Sequence, residues 1–135
     1  VLSLKQPPLG FVYFVGAAMW VAGFAIEVIA DRQKSRFRED PANAGQFINV
    51  GLWARSRHPN YFGEILLWAG IATTAAPYLS GSQWIVLLSP VFVYVLLTRI
   101  SGIPTLAKRG QQLWGEDPAY QAYLSNTPRL FPRLM

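Results

Sequence analysis

The sequence predicts an all-α fold: a polytopic membrane helical bundle of about three transmembrane helices, with short cytoplasmic helices attached. Three observations carry this expectation. Of the 135 residues, 52% are apolar and only 14% are charged, against roughly 25% charged in ordinary soluble chains. The charges are segregated, so that long uncharged runs alternate with basic clusters. The basic clusters also fall on one side of the predicted spans, as membrane topology requires.

The first span is Gly10 to Ala30. It holds a single acid, Glu27, and is long enough to cross ~30 Å of hydrocarbon. Its helix is expected to run on past the membrane. Glu27, Asp31, Lys34 and Arg38 recur at helical spacing on one face, and Gly16, Trp20 and Gly23 continue that face into the bilayer. Small residues there permit close contact with a neighbouring helix. Asp40-Pro41 ends the helix, because a residue before proline avoids the helical region. The second span is 62–79, from Phe62 to Leu79, with Glu64 at its start and Pro77 near its end. The third is 83–103, from Gln83 to Ile103, with Pro90 mid-span as a packing kink and Arg99 near the far end.

Beyond the third span the chain turns amphiphilic. Ser101-Gly102-Ile103-Pro104 is expected to break the span, and Thr105 to Trp114 to form a short helix ended by Gly115. Asp117 followed by Pro118 reads as an N-cap and first helical residue, opening a last helix through Leu124 with Tyr120 and Tyr123 on one face. The tail from Thr127 to Pro132 shows no regular pattern.

The linkers set the expected orientation. Six Lys/Arg (Arg32, Lys34, Arg36, Arg38, Arg55, Arg57) lie between Asp31 and His58, and five lie from Arg99 onward. The turn Ser80-Gly81-Ser82 has none, and the first nine residues have only Lys5. Loop 31–61 and tail 104–135 should therefore face the cytoplasm, from a bacterial inner membrane or the endoplasmic reticulum. The chain reads as one domain, residues 1–135. It opens at Val1 without a Met, and is expected to be part of a longer protein.

Composition also excludes chemistries. With no cysteine there is no disulfide, thiolate nucleophile or Cys-ligated metal, and a single histidine argues against a zinc or haem site. A net charge of +5 suits nucleic acid, anionic lipid or an anionic ligand. No continuous basic tract supports nucleic acid. No G-x-G-x-x-G, P-loop or G-x-S-x-G pattern occurs, so a nucleotide would have to be held between helices by side chains.

The densest chemistry lies in Trp53-Ala54-Arg55-Ser56-Arg57-His58-Pro59-Asn60-Tyr61-Phe62-Gly63-Glu64. Ionisable groups at a membrane helix mouth are costly and mark sites. Pro59 suits the first helical position, and first-turn amides beside Arg55 and Arg57, with His58 as a further candidate, would hold an anion such as a phosphate. Arg57, Tyr61, Glu64 and Trp68 share one face, and Asn60 is one turn from Glu64. Glu64 is either an ionised group orienting its partners or, in an apolar pocket, an acid of raised pKa. It could equally be half of a packing ion pair with Arg57, and His58 a simple helix cap.

These runs, with Asp31-Arg32-Gln33-Lys34, Phe37-Arg38, Gly51-Leu52-Trp53 and Ser101-Gly102-Ile103-Pro104, resemble the steroid 5-alpha-reductase family. The nearer resemblance is to its bacterial branch, catalogued as a domain of unknown function, and covers nearly the whole chain from Glu27 onward. It implies a membrane reductase that uses NADPH to reduce a carbon–carbon double bond in a small lipophilic substrate. By the same resemblance Lys34 and Arg38 face the cofactor phosphates, and Trp53, Arg57, His58, Asn60, Tyr61 and Glu64 form the central pocket motif. Asp117, Tyr120 and Tyr123 match the closing motif. Ala107 stands where many relatives carry an acid. The family's substrate-activating residues lie in an N-terminal helical half that this chain lacks, so no catalytic residue is assigned.

A membrane methyltransferase of the isoprenylcysteine type has a related Arg-His-Pro-x-Tyr-x-Gly motif. Its cofactor, S-adenosylmethionine, carries no phosphate, whereas NADPH carries a pyrophosphate and a 2′-phosphate. Four basic residues between Arg32 and Arg38 favour the phosphate-rich ligand.

Overall fold

The computed structural model describes residues 7–76 and 81–132. It is an all-α membrane helical bundle, with no strand among the described residues. Helix α1 (Pro7–Glu39) is followed by short 3-10 turns at Pro41–Asn43 and Gly51–Ala54, and then by α2 (Pro59–Ala75). A 3-10 segment, Gly81–Leu88, leads into α3 (Ser89–Val95) and a π-helical turn, Leu96–Ile100. Helices α4 (Gly102–Trp114) and α5 (Pro118–Asn126) complete the described chain.

Helix α1 is a single run of 33 residues, about 50 Å at 1.5 Å per residue. It continues past its apolar part and stops at Asp40-Pro41, as its sequence predicts. Asp40 is extended (φ −79°, ψ 117°), and its carboxylate accepts the Ala42 N–H at 2.9 Å, capping the next turn. Phe11 and Phe14 are 70% and 73% exposed on the outside of α1. Such a surface is compatible with lipid and costly in water.

The largest helix–helix contact is α1 against α2. It rests on two glycine pairs. A Cβ added to Gly16 would lie 2.8 Å from the Gly70 carbonyl oxygen, and one added to Gly23 would lie 2.5 Å from that of Gly63. Gly16 meets Gly70 and Gly23 meets Gly63, so the helices run antiparallel. Close backbone approach of this kind takes the place of the hydrophobic drive that lipid does not supply. Trp20 joins the seam through its backbone only; its ring stacks on Phe24 at 5.7 Å and is 41% exposed.

Two helical runs among the described residues are long and apolar enough to cross a membrane, Gly10–Glu39 and Ser89–Trp114. The helix that carries the second predicted span, Phe62 to Leu79, starts at Pro59, the expected first helical residue, and the far end of that span with Pro77 lies outside the described residues. The third differs from expectation. Pro90 is not a mid-helix kink: it sits in the first turn of α3, where its missing N–H is harmless. The break at Ser101–Pro104 shrinks to Ser101 alone (φ −127°, ψ −43°). The helix resumes at Gly102, three residues before the predicted Thr105, because Pro104 falls in its first turn and needs no donor. Gly115 ends α4 as predicted, but in a right-handed conformation (φ −57°), with its N–H on Gln111 C=O at 3.0 Å.

Candidate functional site: a basic cavity between α1, α4 and α5

The loop between α1 and α2 is fastened to α1 at two points. Gln33 Oε1 accepts the Leu52 N–H at 2.9 Å, and Trp53 Nε1–H donates to Ala30 C=O at 3.0 Å. Gly51 is required here: its φ is +61°, and a Cβ would meet the Gln33 amide at 2.5 Å. The Trp53 indole, 4% exposed, supports the Lys34 ammonium, whose Nζ is 5.2 Å from the ring centroid. Tyr123 on α5 donates its hydroxyl to Trp53 C=O at 2.6 Å. Burial pushes the Tyr123 phenol pKa well up, so it stays protonated and serves as a donor.

The next residues are held by the tail. Ser56 Oγ–H donates to Leu130 C=O at 2.7 Å, and the Arg57 N–H donates to Pro128 C=O at 2.8 Å. His58 occupies the N-cap position of α2, yet its side chain caps nothing. Its ring stacks on Tyr61 at 5.4 Å and 14°. Burial, then the positive charges of Arg57, Lys34 and Arg129, hold its pKa down to about 4. The imidazole is therefore neutral near pH 7, and it joins the site as an uncharged group. Desolvation also lowers the Arg57 pKa, but a guanidinium stays charged.

These side chains close a cavity of about 540 Å³, within the usual range for small-molecule sites. Lys34, Arg38, Arg57 and Arg109 contribute four cations to its wall, and among the described residues no Asp or Glu lines it. The same lining holds an aromatic cluster: the Phe47 ring centroid is 5.1 Å from Tyr120, 5.4 Å from Tyr123 and 5.9 Å from Trp114. Trp114 Nε1–H donates to Gly45 C=O at 2.8 Å, tying α4 to the loop Asn43–Ile48 that forms one side. Gly110 leaves room for the Tyr120 hydroxyl, which a Cβ there would overlap.

Of the residues singled out from sequence, Lys34, Arg38, Trp53, Arg57, His58, Tyr120 and Tyr123 line this cavity. The other four do not. Asn60 is half-buried just beyond it, and the Tyr61 ring lies behind His58. Glu64 is half-buried further along α2 and feels the charge of Glu27 across the Gly23–Gly63 contact. Asp117 is an exposed N-cap, accepting the Ala119 N–H at 2.9 Å. No residue of the first turn of α2 reaches the wall, so the cations there are side chains and not helix amides. Arg57 Nε, His58 Nδ1 and Asn60 Oδ1 are buried without a hydrogen-bond partner. Three such atoms within four residues point to a group the protein does not itself supply.

Sequence reasoning missed Arg109, Phe47, Trp114 and the whole Asn43–Ile48 loop. Trp114 carried a local signal as the last apolar residue of an amphiphilic helix, and Gly45, at φ +76°, as a turn. Ser56 and Gln33 stood inside the motif runs, but nothing in their spacing showed what they bond to.

Delta(14)-sterol reductase ERG24 of Saccharomyces cerevisiae (strain ATCC 204508 / S288c) is 37% identical to this chain over 76 residues, 49% of this chain and 17% of the relative. The matched region is thus a small part of that protein's length. No solved structure matches the chain. A family profile described as "Protein of unknown function (DUF1295)" matches residues 1–127. By that match, and in keeping with the steroid 5-alpha-reductase-like motifs of its sequence, the chain belongs to the DUF1295 family.

Proposed function

We propose that this chain is the cofactor-binding part of a membrane-embedded, NADPH-dependent reductase acting on a carbon–carbon double bond of a lipid or steroid-like substrate. The observation that carries the reading is the cavity wall, in which four cations and, among the described residues, no acid accompany an aromatic cluster. A dinucleotide with a pyrophosphate and a 2′-phosphate needs that balance: cations for phosphates, flat faces for rings. The unpartnered Arg57 Nε and His58 Nδ1 fit a bound group that completes their hydrogen bonding. The yeast relative's description as a sterol reductase supports the class of reaction.

In this reading Lys34, Arg38, Arg57 and Arg109 hold the phosphates. Trp53 keeps Lys34 in place, and Tyr120 and Tyr123 close the wall on a helix that Asp117 caps. Neutral His58, with Tyr61 stacked on its ring, orients the cofactor and does not neutralise it, while Asn60 and Glu64 stay outside the wall. NADPH, when bound, supplies the hydride. The loop and tail face the cytoplasm, where the basic residues of both are gathered.

A thermal-shift titration in detergent with NADPH, NADH and S-adenosylmethionine tests this. NADPH at a hundred times its Kd should stabilise by about 2.7 kcal/mol, saturably, and Lys34→Ala and Arg57→Ala should each weaken that effect. Stabilisation by S-adenosylmethionine alone would overturn the reductase in favour of a membrane methyltransferase.

A further inference from the structure

Ser56 lies wholly buried at the point where loop, helix and tail meet. Besides donating to Leu130 C=O at 2.7 Å, its Oγ accepts the His58 N–H at 3.1 Å. The intervening Arg57 N–H is held by Pro128 C=O at 2.8 Å. The Ser56 carbonyl also lies 3.5 Å from the Tyr123 hydroxyl. The tail is firmly seated, since Thr127 and Leu130 are buried and Phe131 packs edge-on to Phe62 at 5.8 Å. Yet no described tail residue lines the cavity.

We propose that Ser56 is a positioning residue for the cavity and that the tail Thr127–Leu130 is a strap through which it acts. Together they fix the direction in which Arg57 and His58 project. Arg57 Nε makes no hydrogen bond that would hold the guanidinium, so its aim depends on its backbone. That backbone is set by two bonds, one to the strap and one formed by the Ser56 hydroxyl across the turn to His58. Removing the hydroxyl leaves Leu130 C=O and the His58 N–H without partners and frees the turn. The inference rests on reading the cavity as the dinucleotide site.

A double-mutant cycle on NADPH affinity tests it, with Ser56→Ala, Arg57→Ala and the pair measured in detergent beside their melting temperatures. Ser56→Ala should weaken NADPH binding about tenfold, as expected for one or two lost hydrogen bonds. In the Arg57→Ala background the same change should cost less than about twofold, because the residue it positions is gone. An unchanged Kd for Ser56→Ala, or a full tenfold loss in both backgrounds, overturns the proposal even if the melting temperature falls. Should Ser56→Ala not fold, Ser56→Cys replaces it: the weaker thiol donor should give a partial loss of affinity, and an unchanged Kd is again fatal. If the unmodified chain binds no NADPH, the reading of the cavity fails and this proposal with it. That result is seen before any variant is made, so the two failures stay distinct.

Discussion

One methyl group added to the α1–α2 seam should destabilise the bundle, although alanine is the better helix former. A Cβ at Gly63 would lie 2.6 Å from Gly23 C=O, 2.7 Å from Glu27 N and 3.2 Å from Glu27 Cα. All three are backbone atoms, so no rotamer change makes room. Ordinary contact begins at 3.4 Å, and the helices must part by about 0.8 Å to reach it. Overpacking of this kind costs about 1–3 kcal/mol, while replacing Gly by Ala within a helix returns about 1 kcal/mol. The net expectation for Gly63→Ala is a loss of up to about 2 kcal/mol. Gly10→Ala is the control. It makes the same propensity gain on α1, but nothing lies within 4 Å of the added Cβ, so it should stabilise by up to about 1 kcal/mol. Thermal unfolding in detergent, followed by circular dichroism, reads both signs. Because α1 carries Lys34 and Arg38 while α2 starts beside Arg57 and His58, parting the helices should also weaken NADPH binding in Gly63→Ala only. A Gly63→Ala protein that melts at or above the unmodified chain would refute the packing argument.

Two further predictions concern the cavity wall. The folded chain holds His58 at a pKa of about 4 against 6.5 ordinarily, so the unfolded chain takes up its proton first as pH falls. Stability should be full above about pH 6.5, decline by about 3 kcal/mol down to pH 4 and then level off; a His58→Asn variant that keeps the same slope in denaturant titrations would contradict this. Tyr123→Phe removes the 2.6 Å donor to Trp53 C=O. It should cost about 1 kcal/mol and weaken NADPH binding through the loosened Lys34 platform, and an unaltered melting temperature would show that the bond contributes nothing.

What was legible in the sequence is what short-range chemistry decides. Asp40-Pro41 stops α1, Pro59 starts α2 and Asp117-Pro118 starts α5 because proline and an Asx cap act within two or three residues. Gly16 and Gly23 marked a close-contact face on α1, but not Gly70 and Gly63 as its partners, since helical periodicity says nothing about pairing. Pro90 was misread because a period of 3.6 cannot foretell a 3-10 segment before it, which turns a kink into a helix start. The gathering of Lys34, Arg38, Trp53, Arg57, His58, Tyr120 and Tyr123 around one cavity was reached through family resemblance. Spacing alone could not bring Ser56 to Leu130, 74 residues away, or Tyr123 to Trp53, 70 away. His58 shows the limit most sharply: burial, and then the charges of Arg57 beside it and of Lys34 and Arg129 from distant parts of the chain, keep its ring neutral, and sequence reveals neither the burial nor the distant charges.

On the proposed reading, the charge of the wall also decides what this chain can contribute. Reducing a double bond takes a proton as well as a hydride, and the donor must reach the reacting carbon. Among the described residues, no carboxyl group lines the cavity. His58 holds no exchangeable charge near neutral pH. Tyr123 is protonated, but its hydroxyl is engaged by Trp53 C=O, and Tyr120 is wedged against Gly110. Lys34 is the wall's remaining proton donor, its ammonium held over the Trp53 ring. The cavity is therefore suited first to fix an anionic cofactor in place. Glu27 and Glu64 lie off this wall, beside the Gly23–Gly63 contact. The exposed apolar faces of α1 and α3, with Phe14 and Phe92 outermost, leave a surface on which a lipophilic substrate or further membrane helices can lie. Cofactor and substrate would then approach from different sides, the cofactor through the basic cavity and the substrate through the lipid-compatible exterior.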